Sequence, residues 1–258
     1  MNSSGLSFNA LPAIDLPFRF FISAPLFIIA CAFLVLFSGE SMWLTRWHPN
    51  MLALTHGFTL GFLTMVMMGA LLQLLPVIGG IGIAKPRIIA IFSHLLYCLG
   101  VISLLLAFTY SHAELTVLAM VLLACGLLPY IAAVFGVLMK KLSQGDSIIG
   151  FRLAVLSLLV LFILGLLLLA SNLGYPVAML SVGKHITNVH ALWGLAGWAS
   201  LLIIAVSFQV IPMFHVAPSF PKVISRYLSS IIFLLLLLFV FAPELAIPVL
   251  ILSYGVFA

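Results

Sequence analysis

The sequence predicts an all-α, polytopic membrane protein, and three observations predict it. Of the 258 residues 65% are hydrophobic and only 6% are charged, against about 25% charged in a soluble chain. The apolar residues come in runs of 18 or more, separated by short polar stretches, and a bilayer core needs about 20 such residues per helix. The runs are continuous, without the period-two alternation of a barrel strand, and in lipid only helices and closed barrels satisfy their backbone groups.

The elements follow in order. Residues 1–17 are polar to mixed and are expected at the interface, and with Asp15 ahead of the first run and no basic leader region no cleavable signal peptide is expected. The runs predict helices over 18–38, 51–78, 87–109, 113–139, 149–171, 186–214 and 225–242. An eighth run begins after Pro243 and stays apolar to Ala258 with no polar or basic cap, which predicts either a short helix or, preferably, a chain that continues further. The whole is read as one membrane domain, 1–258, of seven to eight helices in two repeated units: about 18–139, and about 149–258 with the second cut short.

The repeat is carried by two runs, Leu52 to Gly80 and Val189 to His215. A shift of 136 residues places Gly61 on Gly197, Gln73 on Gln209 and Pro76 on Pro212. Each run carries a histidine one or two turns before its shared glycine: His56 five residues before Gly61, His190 seven before Gly197. The offset of two residues is about 200° of helix rotation, so the two imidazoles do not occupy equivalent faces.

Basic residues set the expected orientation. The N-terminal side and alternate loops hold Arg19, Lys85, Arg87, Lys140, Lys141, Arg152, Lys222 and Arg226, and the opposite side holds Arg46 and Lys184. The N-terminus is therefore expected inside, and the net charge of +5 is a topology signal, not a nucleic-acid footprint. His56 follows Asn50 by six residues and His190 follows Lys184 by six, about 9 Å below each polar anchor at 1.5 Å per residue. Similar depth allows both to face one pocket, with His185 as a shallower third partner. His94 starts from the inner side and is excluded by depth, His48 and His112 belong to outer loops, and His215 lies at the inner interface.

Two readings stand beside each of these residues. Histidine in a helix bundle is a ligand for haem iron or copper, and ionisable groups within a membrane mark function; equally, a neutral histidine can simply bond a neighbouring helix. Gly57 and Gly61, like Gly194 and Gly197, are either close-packing steps or room for a flat macrocycle. Gln73 and Gln209, near Pro76 and Pro212, read as partners for carbonyls freed at the proline. Trp43 and Trp47 fit an aromatic belt, while Trp193 or Trp198 is either core or the wall of a haem whose propionates reach Arg46 or Lys184. Cys31, Cys98 and Cys125 stand singly and make no metal spacing. No acidic residue falls in the middle of a helix, and no phosphate-binding, hydrolase, metalloprotease or dithiol motif is present, so proton pumping and hydrolysis lack support.

The stretches ALTHGFTLGFLTMVMMGALLQLLPVIGG and VHALWGLAGWASLLIIAVSFQVIPMFHVAP, with the opening FRFFISAPLF, resemble the membrane-protein relatives of haem–copper oxidase subunit I, including the NnrS family of haem- and copper-containing membrane proteins. The resemblance covers most of residues 18–220. It implies arcs of four helices, two present here and a third missing. It places His56 at the axial-ligand position for a low-spin haem and His190 near a copper-ligand position. The chain departs from the oxidases where Ala191 and Leu192 follow His190 and where residues 226–242 hold no histidine pair. The resemblance therefore implies a haem b-binding, and by the same analogy copper-binding, protein of a bacterial-type inner membrane rather than a complete terminal oxidase. The expected site residues are His56, His190, Gly57, Gly61 and Trp193 for the cofactor, and His56, His190 and His185 for metal. Electron transfer with a redox partner protein, nitric-oxide or metal stress handling, and a homo-oligomer holding haem between chains all follow as expectations. The rival expectation is a cofactor-free transporter or assembly factor whose histidines only hold helices together.

Overall fold

A computed structural model describes residues 11–80, 82–140, 147–176 and 185–257. Among them there is no strand, and seven helices are long and apolar enough to cross a membrane. The chain is an all-α, multi-pass membrane protein. Helix α1 is Asp15–Ser38. Helix α2 is built of Pro49–His56, a π-helical segment Gly57–Thr64 and Met65–Gly79. Helix α3 is Pro86–Tyr110, α4 Ala113–Leu138 and α5 Ser147–Asn172. Helix α6 repeats the three-part design as His185–Leu192, a π-helical Trp193–Ala199 and Ser200–Phe214. Helix α7 is Lys222–Phe241, and α8, Pro243–Phe257, is shorter than a span.

Local chemistry explains the ends. Helix α2 begins two residues earlier than the apolar run because the His48 Nδ1 accepts from the Asn50 backbone N–H at 3.2 Å and Pro49 occupies the first helical position. A 3₁₀ turn, Glu40–Trp43, precedes it where the sequence suggests plain loop. Gly80 closes α2 in the left-handed conformation, φ 67°, its N–H bonding the Pro76 carbonyl at 2.9 Å.

Helix α1 shows why the chain suits lipid. Its buried stripe is Leu16, Phe20, Ala24, Phe27 and Cys31, and its exposed stripe is Phe18, Ile22, Leu26, Ile29, Phe33 and Leu36. Both stripes repeat every three or four residues and both are apolar. A helix that is apolar all round while half its surface is open is solvated by hydrocarbon, not water.

The chain forms two compact units, Met1–Ser143 and Gln144–Ala258. In the first, α2 lays glycines against α1: a Cβ on Gly61 would meet the Phe27 ring at 2.5 Å, and one on Gly57 the Cys31 Sγ at 2.6 Å. The α3–α4 pair is closer still, since a Cβ on Gly126 would meet the Tyr97 backbone nitrogen at 2.7 Å. Small residues let backbones approach where dispersion, not the hydrophobic effect, holds helices together. In the second unit Gly197 faces Ser157 of α5 and Leu236 of α7, where a Cβ would meet them at 2.9 and 3.3 Å.

Candidate functional site

His56 is the last α-helical residue of α2 before the π segment begins at Gly57. Its Nδ1 lies 2.7 Å from the Leu52 carbonyl, and its ring packs on Phe108 of α3 at 5.1 Å. A carbonyl oxygen only accepts, so Nδ1 carries the proton and Nε2 is the unprotonated nitrogen. His94 is wired the other way. The Ser23 hydroxyl donates to the Arg19 carbonyl at 2.8 Å, so its oxygen accepts from His94 Nε2–H at 2.8 Å. His94 is a bridge between α1 and α3, flanked by Cys98 at 3.5 Å and Phe20 at 4.9 Å.

The second unit uses its histidines differently. His185, at the start of α6, donates from Nε2 to the Val240 carbonyl at the end of α7 at 3.0 Å, with Phe239 beside it at 5.7 Å. His190 lies five residues on, against Gly165 of α5, where an added Cβ would meet its Cε1 at 3.2 Å. Five residues turn an α-helix through about 500°, which leaves the two imidazoles about 140° apart. Among the described residues no three of His, Cys, Asp and Glu gather to hold a metal.

The space expected beside Gly57 and Gly61 for a flat ring is filled by Cys31 and Phe27. A macrocycle on His56 must take a side of α2 other than its α1 face. Trp193 is 1% exposed and packs edge-on to Phe233 of α7 at 5.4 Å. Its buried indole Nε1–H has no hydrogen-bond acceptor among the described residues, which leaves a donor of the kind that a polar ligand edge satisfies. Trp198 is also buried, whereas Trp43 is exposed and the Arg46 guanidinium lies 4.7 Å over the Trp47 ring, an arrangement that suits an interfacial aromatic belt. Lys184, the expected anchor for His190 and partner for a propionate, lies outside the described residues, as do Lys141 and Asp146. Gln209 donates to the Ser147 hydroxyl at 3.1 Å, so it ties α6 to α5 instead of serving the carbonyls at Pro212. A cavity of about 50 Å³ is lined by the apolar side chains of Leu11, Pro12, Leu72, Pro76, Ile83 and Pro86, room for a few waters.

The feature that sequence reading missed is the pair of π segments. They start at residues related by the same shift of 136, since 57 + 136 = 193. In each, the carbonyl of the fourth residue accepts a tyrosine hydroxyl from another helix of its unit: Tyr97 to Leu60 at 3.2 Å, and Tyr254 to Ala196 at 3.0 Å. In each, a hydroxyl stands beside the same tyrosine four residues past that carbonyl, Thr64 or Ser200, the latter donating to the Leu195 carbonyl. Leu60 with Ala196 and Thr64 with Ser200 are both 136 apart, a signal that was readable in the sequence. The tyrosines are not: position 233 holds Phe, and position 118 holds Leu.

Comparison with protein-family models, with curated proteins and with solved structures finds no match for the chain.

Proposed function

We propose that the chain is a membrane-embedded haem b-binding protein of the haem–copper oxidase subunit I type, serving electron transfer or nitric-oxide and metal stress handling rather than oxygen reduction. The observation that carries the reading is the setting of His56: Nδ1–H bonds the Leu52 carbonyl and the ring is steadied by Phe108, which fixes the tautomer with the proton on Nδ1, the arrangement common among metal-bound histidines. A bound haem supplies a one-electron couple. The protein's part is to fix the imidazole, to raise its basicity through the Leu52 bond, and to surround it with hydrocarbon. The position of His56 at the mouth of a π segment adds support, since such segments cluster at functional sites. The distribution of basic residues supports an inner membrane orientation with the N-terminus inside. A redox partner protein and a homo-oligomer that completes the haem's second side belong to the same proposal.

The rival reading is a cofactor-free transporter or assembly factor. The bond from His185 to Val240 favours it for that residue, because it ties the start of α6 to the end of α7.

The test is a reduced-minus-oxidised optical spectrum of the detergent-purified chain, expressed with added haem, beside His56→Ala and His190→Ala. Sharp reduced bands that vanish in His56→Ala are expected. The His190→Ala spectrum then reports whether that helix closes the same site. A colourless wild type that retains no copper sinks the cofactor reading in favour of the transporter.

A further inference from the structure

A π turn contains one more residue than an α turn, is rare, and persists where its surroundings hold it. The sequence gives each segment a reason to yield. Residues 57–64 contain Gly57 and Gly61, and residues 193–199 contain Gly194 and Gly197, the weakest helix formers apart from proline. Hydroxyls compete for the carbonyls as well. Thr59 donates to Thr55 O at 2.7 Å, and Ser200 donates five residues back to Leu195 O at 2.7 Å, a reach that suits a π turn. Against this background the phenols of Tyr97 and Tyr254 are the external partners that the two segments share.

We infer that Tyr97 and Tyr254 are positioning residues: each hydroxyl clamps a carbonyl of its π segment and so fixes the rotation of the helix start that carries His56 or His190. The lever is geometric. One extra residue rotates everything ahead of it by about 100° relative to a straight α-helix, at 3.6 residues per turn. His56 stands directly ahead of its segment and His190 three residues ahead of its own, so the π turn decides which way both imidazoles point. The two clamps use equivalent acceptors, the carbonyls of Leu60 and Ala196, 136 apart, yet draw the phenol from α3 in one unit and from α8 in the other. Mere inheritance of a repeated sequence does not produce that coincidence; a requirement for the clamp does. Tyr130 serves as an internal contrast. Its hydroxyl also crosses to α2, bonding the Met68 carbonyl at 2.6 Å, but it does so in the regular α-helical part.

The inference rests on the haem reading only for its consequence at iron; the clamp itself is read without a cofactor. Nitroxide labels on Thr55→Cys and Glu114→Cys, both exposed sites of the first unit, report the rotation of the α2 start by pulsed electron spin resonance. Cys98 and Cys125 are replaced by Ser, and Cys31, buried against Gly57, stays. Tyr97→Phe keeps the ring and removes only the hydroxyl. It is expected to displace the label-to-label distance by more than the width of the wild-type distribution, and Thr64→Val, which removes the hydroxyl beside Tyr97, is expected to move it in the same direction. Tyr130→Phe is expected to leave it in place. An unchanged distance in both Tyr97→Phe and Thr64→Val overturns the inference, and so does an equal displacement in Tyr130→Phe, which would mean general loosening. If the wild type binds haem, Tyr97→Phe should also shift the reduced bands and the midpoint potential, which a change in stability alone does not move. If the wild type binds none, the haem reading fails and the label distances decide the clamp by themselves.

Discussion

The starts of α2 and α6 impose the same irregularity on two different surroundings. In the first unit the π segment opens on Gly57, lies against Cys31 and Phe27 of α1, and receives its phenol from α3. In the second it opens on Trp193, lies against Ser157 of α5 and Phe233 of α7, and receives its phenol from α8. What is common is the backbone carbonyl, the tyrosine hydroxyl it accepts and the hydroxyl residue four positions on; what differs is the helix that supplies the tyrosine and the side chains packed around it. The difference teaches that the helix irregularity is the fixed quantity and the packing is adapted to it.

The comparison breaks most readily at Trp193, which holds the place matched by Gly57. Trp193→Ala should destabilise the second unit by about 3–5 kcal/mol, the range for emptying a large buried aromatic site, read as a fall in thermal midpoint in detergent. A mild effect would mean that the ring is not core. Next come the shared glycines. Gly61→Ala drives a Cβ into the Phe27 ring at 2.5 Å and should cost about 2 kcal/mol, while Gly197→Ala brings its Cβ to 2.9 Å from the Ser157 Cβ, a lesser overlap, and should cost about 1 kcal/mol, within the range for overpacking. Equal losses would erase the difference drawn between the two surroundings. Smaller again is the phenol: Tyr97→Phe and Tyr254→Phe should each cost about 1 kcal/mol, the net worth of one hydrogen bond. Adding Phe233→Tyr to Tyr254→Phe should not restore the loss, because Phe233 is seated on Trp193; full recovery would show that α7 reaches the Ala196 carbonyl after all. The smallest effect is expected at Gly194→Ala, where the added Cβ meets Leu161 at an ordinary 3.4 Å. It should be neutral or stabilise by up to about 0.5–1 kcal/mol through helix propensity.

The helices were legible because hydrophobic length is a strong signal in lipid: the expected 113–139 and 186–214 are found as Ala113–Leu138 and as the run from His185 to Phe214. Their ends differ by up to three residues where a local device intervenes, as with His48 and Pro49 at the start of α2. The facing of each helix was not legible. Both stripes of α1 are apolar, so no periodicity says which is buried. Nor were the π segments, since Leu, Phe, Gly and Ala serve an α turn as well as a π turn, and the choice is made by contacts from α3 and α8. At the site, the prominence of His56 came from the sequence alone, but its wiring to Leu52 needed the backbone. The packing sense of the glycines was open until Phe27 and Cys31 were seen to occupy the space beside them. His185 looked like a ligand because its partner, the Val240 carbonyl, is invisible in a side-chain pattern.

The two origins of the phenol bear on design. A graft of this device onto another helix pair needs only a short glycine-bearing stretch with a serine or threonine four residues past the chosen carbonyl. The tyrosine can then be written into whichever neighbour passes within reach, at whatever position its own packing allows. The recipe is thus modular: one strand of instructions travels with the irregular helix, and the other is free to be rewritten by the host.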